Sequence, residues 1–372
     1  MFDDIFRGQT VLITGHTGFK GAWLSEWLLA LGAHVVGFSL PEPVSEPNLF
    51  TLLGLADRVA DQRGDIRDAA ALAAVVKAHR PVAIFHLAAL PIVPRAVQEP
   101  QLTYEVNTLG TVNVLEAVRA TDSVRAVVCI TTDKVYEEQG FVWGYREPDR
   151  LGGRDPYSAS KAMAELAVAS YRATYFPPER YAEHGVALAT ARAGNVIGGG
   201  DFGDHRLVPD CLRALMRDQT IPILTPGYIR PWQHVLVPLS GYLWLAARML
   251  AAGAEFGEAW NFGPQEQKGV SVQQIAERLI ALWGSGRWEA VDPALRQGEG
   301  REFRLNWDKA AARLDWQPAY GWGEALAEIV TWFKAYEAGD ADMAELTRAH
   351  LAAFIAAAAA QGQPWVSPDD TF

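Results

Sequence analysis

The chain has 372 residues, of which 49% are hydrophobic and 21% charged, and its formal net charge is −11. This composition excludes global disorder, and the acidic balance argues against a general binder of nucleic acid or of anionic membranes, which would need a basic face. The length exceeds the roughly 250–300 residues at which single hydrophobic cores stop growing, so we expect one large domain and a smaller one.

Cysteine content and the N-terminal segment bear on the cellular compartment. Only Cys129 and Cys211 are present, so we expect neither a disulfide framework nor a tetrahedral metal cluster, and we predict no metal site. The segment MFDDIFRGQT is acidic and lacks an apolar signal region, and we find no run of about 20 apolar residues that would span a bilayer. The sequence therefore predicts a cytoplasmic protein.

Short apolar runs alternate with helical patterns through the first half of the chain. Strands are predicted at VLITG from residue 11, HVVGFSL from 34, AIFHLAA from 83, VRAVVCITT from 124 and VALATARAGNVIG from 186. Helices are predicted over 22–31, 69–78, 103–120 and 157–175. Such alternation is typical of βαβ units, so we predict an α/β fold with a Rossmann-type doubly wound parallel sheet.

The texture of the sequence changes after residue 194. Segments rich in Gly and Pro, GGGDFGDHRLVPD and TPGYIRPWQHV, predict loops and short helices. We therefore predict a Rossmann domain over 1–194, to which 236–258 returns, and a smaller α+β substrate-binding lobe over 195–235 and 259–340. The Ala-rich tail over 341–372 is predicted to be helical, because Ala has the highest helix propensity.

The segment TGHTGFKG follows the first predicted strand and opens the first predicted helix. Glycine at these positions lets the backbone turn tightly and approach a pyrophosphate at the helix N-terminus, so the segment predicts a dinucleotide-binding loop. The side chains of His16 and Lys20 could either contact phosphate or face solvent. The predicted contacts within the loop are Gly15, His16, Thr17, Gly18, Phe19 and Lys20.

The end of the second strand bears on which dinucleotide is bound. That place often holds an Asp or Glu for the adenosine ribose, but here it holds Ser39, and the following LPEPVSEP contains two carboxylates and no cation for a 2′-phosphate. We therefore predict NAD. Asp65 could contact the adenine amino group or cap the helix near residue 69. The remaining predicted cofactor contacts are Ile66, Leu87, Ala88 and Ala89.

Tyr157 and Lys161 stand four residues apart in DPYSASKAMAEL. At this spacing they share one helix face, so the ammonium can lower the pKa of the phenol and also hold a cofactor ribose. A Tyr and a Lys at this spacing are by themselves more often plain helix surface. Together with the glycine loop and Thr132 at the end of a strand, the pair predicts a catalytic site.

Five motifs, GHTGFKG, HLAA, TTDKVY, YSASK and ARAGNV, resemble the extended short-chain dehydrogenase/reductase superfamily. Longer strings, including GHTGFKGAWLSEWL and GNVIGGGDFGDHRLVPD, are most similar to its nucleotide-sugar 4,6-dehydratases that act on CDP-glucose, over about the first 335 residues. The resemblance implies oxidation of hexose carbon 4, elimination of water across carbons 5 and 6, and return of hydride to carbon 6.

Asp133 and Lys134 adjoin in TTDKVY, and the elimination needs an acid and a base close together. The resemblance implies that Lys134 takes the carbon 5 proton and that Asp133 protonates the departing hydroxyl, although the residues alone leave the two roles interchangeable. A surface ion pair at the end of a strand is the structural alternative.

The resemblance also implies contacts to the substrate. Asn195 and Arg230 match positions at the substrate diphosphate, with Arg296 as a further candidate, and a turn role for Asn195 stays open. His234 could contact ribose or base, or be a satisfied strand residue. The sequence departs from the family pattern along the hexose pocket, at Leu90, Pro94, Ala96 and Val97.

Other classes of function share part of this pattern. A nucleotide-sugar epimerase or reductase would use the same Tyr–Lys pair without needing Asp133 and Lys134, and a non-catalytic dinucleotide sensor would need neither pair. A 4,6-dehydratase with a different nucleotide sugar is a further alternative. The partners we expect are a nucleotide sugar and a second copy of the chain, in a homodimer or homotetramer, without nucleic acid or membrane.

Overall fold

The structure is a computed structural model, and it describes residues 1–43, 45–266, 268–291, 301–367 and 370. The strands in chain order are β1 (Thr10–Thr14), β2 (His34–Ser39), β3 (Ala60–Arg63), β4 (Ala83–His86), β5 (Ala126–Ile130), β6 (Ala187–Ala193), β7 (Asn195–Ile197), β8 (Ile221–Ile223), β9 (Ile229–Arg230), β10 (Trp232–His234), β11 (Ala259–Phe262), β12 (Val270–Ser271) and β13 (Trp288–Ala290).

Helices connect most of these strands. They are α1 (Phe19–Ala30), α2 (Leu49–Leu52), α3 (Ala69–His79), α4 (Val93–Gln98), α5 (Pro100–Tyr104), α6 (Gly110–Arg119), α7 (Pro156–Thr174), α8 (Tyr181–His184), α9 (Leu207–Met216), α10 (Leu236–Ala252), α11 (Val272–Trp283), α12 (Asp308–Leu314), α13 (Trp322–Ala338) and α14 (Met343–Ala360). The predicted helix over 103–120 is divided, because a π-helical turn at Glu105–Leu109 separates α5 from α6.

Seven strands form one parallel sheet in the order β11-β6-β5-β4-β1-β2-β3. Most of these strands are apolar along much of their length, because helices cover both faces of such a sheet, whereas the edge strand β3 reads Ala-Asp-Gln-Arg. Alternate residues of β5 show this, since Val128 packs into one buried cluster and Val127 and Cys129 into the other. The predicted Rossmann-type sheet is confirmed, and its carboxyl edge brings together the ends of β1, β2, β4, β5 and β6.

The remaining strands form two-stranded pairs, β7 with β10, β8 with β13 and β9 with β12. The predicted division into a Rossmann domain and a lobe stays a prediction. One strand within the range assigned to the lobe, β11, pairs in parallel with β6 and forms an edge of the large sheet.

The segment Leu236–Phe256 is long and apolar enough to cross a membrane by length and composition, so the expectation that no such run exists is wrong. Most of this segment is buried inside the protein. Its α10 part contributes Leu239, Leu243 and Leu245 to the larger core. A core helix with these neighbours accounts for the apolar run.

The Ala-rich tail is helical as predicted, and α14 packs onto the core. Phe354 of α14 contacts Trp27 of α1 edge to face, with ring centroids 5.9 Å apart. Residues beyond α14 meet the start of the chain, where the Phe2 ring stacks on Trp365 at 5.1 Å and the Phe2 amide donates to the Trp365 carbonyl at 2.6 Å. The tail therefore belongs to the packed core.

Candidate active site

The segment after β5 carries three of the predicted catalytic side chains. A 3-10 turn at Asp133–Val135 begins there, and the Thr132 hydroxyl oxygen caps it by accepting from the Lys134 amide at 3.3 Å. The same hydroxyl donates to Asp133 Oδ1 at 3.0 Å. Asp133 is buried, and Lys134 is half-buried. The structure therefore places Asp133 and Lys134, the predicted acid and base, at the carboxyl edge of the sheet, and the alternative of a surface ion pair is wrong for Asp133.

Helix α7 brings the second pair to the same place. Asp155 caps the helix by accepting from the Ser158 amide at 3.0 Å, and Pro156 occupies the first turn, where its missing N–H costs nothing. Tyr157 and Lys161 are both buried. Lys161 Nζ donates to the Ile130 carbonyl, the last of β5, at 3.0 Å.

The electrostatics of Tyr157 differ from the sequence prediction. Burial raises the pKa of Tyr157 to about 12, against a smaller lowering by a hydrogen bond with Thr132. Lys161 is not among the groups that lower it, and burial lowers the pKa of Lys161 itself to about 8. The pKa of the phenol is therefore raised rather than lowered in this structure, and the expected influence of Lys161 on it stays a prediction.

Asp133 has the electrostatics of a proton donor. Burial raises the pKa of its carboxyl, and the opposing influences of Lys134, Thr132 and Arg230 do not cancel that effect. A carboxyl with a raised pKa holds its proton at a higher pH than an exposed one, which suits a general acid.

Sequence reasoning missed Arg206 in this site, and it expected a different environment for Lys20. Arg206 forms an ion pair with the buried Asp201 at 2.9 Å, and its charge lowers the pKa of Tyr157. Lys20 was expected at phosphate or in solvent, but it is half-buried, and burial, Arg206 and Lys161 lower its pKa to about 7. The sequence around Arg206, DHRLVPD, contributes to the family resemblance, but an Arg after a glycine-rich loop does not by itself predict a site residue.

The glycine loop is packed so tightly that no side chain fits at Gly15 or Gly21. A Cβ on Gly15, which has φ of +79°, would lie 2.7 Å from the Ala88 amide nitrogen, and one on Gly21 would lie 2.2 Å from the Gly15 carbonyl oxygen. The loop and the Leu87–Ala89 strand end therefore lie together at the edge of the sheet. Bare backbone before α1 fits the pyrophosphate of a dinucleotide.

His16 does not face solvent, because its ring is fully buried. Nδ1 is hydrogen-bonded to Ser39 Oγ at 2.9 Å, and Nε2 to Asp61 Oδ1 at 2.9 Å. The side chain is therefore committed to β2 and β3, which leaves only the backbone of His16 for a phosphate.

The end of β2 has a cation nearby that the sequence reading missed. Arg63 pairs with Ser39 in the register of β2 and β3, and its guanidinium lies over the Phe50 ring at 5.3 Å. It also forms an ion pair with Asp61 at 2.7 Å. The cation is therefore already matched by a carboxylate.

Asp65 is not the helix cap, because Asp68 caps α3 by accepting from the Ala71 amide. Asp65 instead forms an ion pair with Arg67 at 2.6 Å. Ile66, beside it, is buried in the sheet core against Gly110.

The predicted substrate residues fall into three groups. Arg230 lines one small cavity together with Asp133, Lys134, Glu138 and Phe303. Asn195 lies in β7, opposite Trp232 of β10, so the turn role is wrong. Arg296 lies outside the described residues.

His234 is a core residue, and the expectation that it contacts ribose or base is wrong. Its ring lies between Trp23 and Tyr320, with centroids 6.1 and 5.9 Å away, and Nδ1 accepts from the Leu236 amide at 3.3 Å. Burial lowers the pKa of His234 to about 3, so the ring is neutral.

The segment that departs from the family pattern lies against the active site. Leu90 and Ala96 form a small buried cluster with Tyr157, and the Leu90 backbone is fixed by the Asn107 side chain at 2.8 and 3.2 Å. The wall beside the Tyr157 ring is therefore apolar. Val97 is exposed.

No group of three His, Cys, Asp or Glu side chains that could hold a metal ion occurs within the described residues. The parallel sheet, the glycine loop and the Tyr157–Lys161 pair at its edge define an extended short-chain dehydrogenase/reductase.

Comparisons with known proteins identify the family. The model of the GDP-mannose 4,6 dehydratase family matches residues 12–182. The CDP-glucose 4,6-dehydratase of Salmonella typhimurium is 43% identical over 95% of this chain and 98% of its own length. The dTDP-glucose 4,6-dehydratase of Xanthomonas campestris is 27% identical over 87% and 93%. The crystal structure of dTDP-glucose 4,6-dehydratase from Bacillus anthracis in complex with NAD matches with a TM-score of 0.74 and 25% identity, over 89% of this chain and 98% of that one. The chain belongs to the nucleotide-sugar 4,6-dehydratase family.

Proposed function

We propose that this chain is an NAD-dependent dehydratase that converts CDP-glucose to CDP-4-keto-6-deoxyglucose. The observation that carries the proposal is the position of Asp133 and Lys134 beside the Tyr157–Lys161 pair at one sheet edge. The similarity over 95% of the chain to a CDP-glucose 4,6-dehydratase supports the choice of nucleotide.

The residues of the glycine loop fit NAD. Gly15 and Gly18 bring bare backbone to the pyrophosphate, and Lys161 is placed to hold the nicotinamide ribose once it exchanges the Ile130 carbonyl for a ribose hydroxyl. Arg63, the cation that strand pairing places opposite Ser39, is already paired with Asp61, which supports NAD over NADP. When bound, NAD accepts hydride from carbon 4 and later returns it to carbon 6.

Tyr157 acts first in the proposed reaction, by taking the proton of the carbon 4 hydroxyl. The hydrogen bond with Thr132 favours this transfer, because it lowers the pKa of the phenol. Lys161, with a pKa of about 8, carries its charge at neutral pH and stabilises the phenolate that forms.

Asp133 and Lys134 then divide the elimination. Lys134 removes the proton at carbon 5, which the new carbonyl at carbon 4 has acidified. Asp133 gives its proton to the hydroxyl at carbon 6, so the carbon–oxygen bond breaks and water leaves as the carbon 5–carbon 6 double bond forms. Lys134 returns its proton to carbon 5 when carbon 6 is reduced.

The substrate diphosphate is proposed to lie along Arg230 and Asn195, with the hexose between Arg230 and Tyr157. Arg230 and the Asp133–Lys134 pair line one cavity, which supports this direction of binding.

The test is to incubate the protein with NAD and, separately, CDP-, UDP-, GDP- and dTDP-glucose, and to follow the 4-keto product. We expect turnover of CDP-glucose and poor turnover of the other three. Equal turnover of all four would contradict the assignment, and activity with only another nucleotide would implicate the apolar 90–97 segment. Formation of a carbon 4 epimer without a 4-keto product would favour an epimerase.

The assembly is also a proposal, with two copies pairing through α7. Met163 and Leu166 of this helix and Leu109 beside it are 46, 60 and 56% exposed, which is unusual for large apolar side chains. Analytical ultracentrifugation of the wild type and of a Leu166→Glu variant tests this proposal. The wild type should sediment with the mass of two or more copies, and the variant with the mass of one.

A further inference from the structure

An extensive buried polar network adjoins residues 132–134, which we call the catalytic segment. Its centre is the ion pair between Glu165 and Arg192, whose side chains are both 3% exposed and whose closest atoms are 2.8 Å apart. Glu165 accepts four hydrogen bonds, two from Arg192 at 2.9 and 2.8 Å, one from Thr131 at 2.5 Å and one from Thr190 at 2.6 Å.

The network continues from Arg192 to the far end of the catalytic segment. Arg192 Nη1 donates to the Tyr136 hydroxyl at 2.8 Å, and that hydroxyl donates to Asn261 Oδ1 at 2.7 Å. Asn261 in turn donates to the carbonyls of Tyr145 and Asn306 at 3.0 and 2.9 Å. Every polar atom along this path is therefore paired.

The network connects the catalytic segment to helix α7. Thr131 immediately precedes Thr132, and Tyr136 lies two residues after Lys134, so the network holds the catalytic segment at both ends. Glu165 lies four residues after Lys161 on α7, on the same face of the helix. One carboxylate thus joins the helix that carries the Tyr–Lys pair to the segment that carries the acid and the base.

Stability alone is a weak reason for such a pair. Burying two charges is costly, and well-packed apolar residues of similar volume serve as well or better. Arg192 and its hydrogen bonds lower the pKa of Glu165, so the carboxylate stays ionised and takes no part in proton transfer. Apolar side chains would not fix the orientation of their neighbours. A fully paired carboxylate does, because it accepts hydrogen bonds only from donors in fixed positions.

We propose that the Glu165–Arg192 pair is a positioning pair that sets the distance between the Tyr157–Lys161 pair and the Thr132–Asp133–Lys134 segment. This inference rests on the proposed dehydratase reaction for its kinetic consequence. The catalytic steps require the phenol, the acid and the base to reach one hexose, and a misplacement of about 1 Å can cost about 100-fold in rate.

Two threonines bound to the same carboxylate allow a matched test. Thr131→Val and Thr190→Val each remove one hydroxyl donor to Glu165, at nearly equal distances, and leave both charges in place. Only Thr131 adjoins the catalytic segment, whereas Thr190 lies within β6. Glu165 keeps its charge in both variants. A change in activity therefore cannot come from losing the electrostatic influence of Glu165 on Lys161.

The first measurement is hydrogen exchange of the amides over 132–136, read by mass spectrometry, which needs no activity. We expect Thr131→Val to accelerate this exchange clearly and Thr190→Val to leave it near the wild-type rate. Thr131→Ser, which restores the hydroxyl, should return to the wild-type rate. Equal acceleration by both valine variants, or by neither, overturns the proposal.

The second measurement is the separation of kcat from KM. We expect Thr131→Val to lower kcat about tenfold or more with KM for the nucleotide sugar within about twofold, and Thr190→Val to leave both within about twofold. Equal loss of kcat in the two variants would mean that the network acts only through stability. A wild type without dehydratase activity would refute the proposed function, and the exchange measurement would still decide the positioning role.

Tyr136→Phe tests the other end of the segment and serves if Thr131→Val does not fold. It removes one hydroxyl that joins Arg192 to Asn261 and keeps the ring stacked on Tyr145. We expect the same faster exchange over 132–136. Glu26→Gln is the control for losing a buried carboxylate elsewhere, because Glu26 of α1 is 1% exposed and is paired with Arg58 instead of Arg192. It should lower the unfolding midpoint without changing exchange over 132–136, and faster exchange there would count against the proposal.

Discussion

Asp133 and Glu165 are two buried carboxylates, each 3% exposed. Asp133 lies within the catalytic segment, and Glu165 accepts a hydrogen bond from Thr131 just before it. Burial raises the pKa of Asp133, although the Thr132 hydroxyl donates a hydrogen bond to its carboxylate. The pKa of Glu165 is lowered, because Arg192 and two threonines outweigh the same burial. The comparison teaches that donors, and not depth alone, decide whether a buried acid stores a proton or holds a structure.

The largest expected effect is on the structural side of the comparison. Arg192→Met should lower the free energy of unfolding by about 3–5 kcal/mol, because it leaves Glu165 buried without its partner. Denaturant titration measures the loss.

The control for this prediction is a double variant, Arg192→Met with Glu165→Leu. It removes both charges and should recover much of the lost stability. A double variant as unstable as Arg192→Met would mean that packing, and not the unpaired charge, was responsible.

The catalytic side of the comparison is tested by Lys134→Met. The variant should still oxidise carbon 4, so that reduced cofactor accumulates in a single turnover, while overall turnover falls about 100-fold or more. Solvent deuterium should not enter carbon 5. Deuterium entry at the wild-type rate would show that Lys134 is not the base, and would leave Asp133 or a water molecule to begin the elimination.

Tyr157→Phe should remove about 99% or more of turnover, because only the reacting oxygen is lost. Binding of NAD, followed by quenching of Trp fluorescence, should be nearly unchanged. A variant that retains more than about a tenth of wild-type turnover would show that another base serves carbon 4.

The two carboxylates should also differ in the sign of their pH-dependent contribution to stability. The folded pKa of Asp133 is raised, so its stabilising contribution is present at low pH and is lost as pH rises through that pKa. Asp133→Asn should therefore be more stable than wild type at about pH 7 and lose this advantage near about pH 3.

Glu165→Gln should behave in the opposite way. The folded pKa of Glu165 is lowered, so its contribution is present above the unfolded pKa and is lost as pH falls through the folded pKa. The variant should be less stable than wild type at neutral pH, and the difference should shrink in acid. Thermal unfolding across this pH range measures both variants, and differences of the same sign would undo the comparison.

The smallest effect concerns a third carboxylate, Asp61, which His16 and Arg63 share. Asp61→Asn should narrow the preference for NAD over NADP, because Arg63 is then free to pair with a 2′-phosphate. Dissociation constants for both cofactors measure the change, with Arg63→Met in the same background as the control. An unchanged ratio would show that Arg63 does not reach the ribose.

The sheet and the catalytic pairs could be predicted because each depends on local pattern. Continuous apolar runs predicted β1, β4, β5 and β6, and parallel strands present their carboxyl ends at one edge, which brought Thr132 to Tyr157. The bounds of α3 and α7 were predicted to within a residue or two for the same reason.

The errors share a different cause, since each depended on a distant segment. His16 looked like a loop residue, but Asp61 of β3 binds its ring. Arg63 escaped notice because only strand pairing places it opposite Ser39. The ring of His234 packs against Tyr320, which lies 86 residues later in the chain, and no local pattern predicts that contact.

The contact between Phe2 and Trp365 has a consequence during synthesis. Phe2 is synthesised 363 residues before the ring on which it stacks. At about 5–20 residues per second, the N-terminal aromatic cluster waits roughly 20–70 s for its partner. Until Trp365 is made, the nascent chain therefore lacks the stacking partner of Phe2.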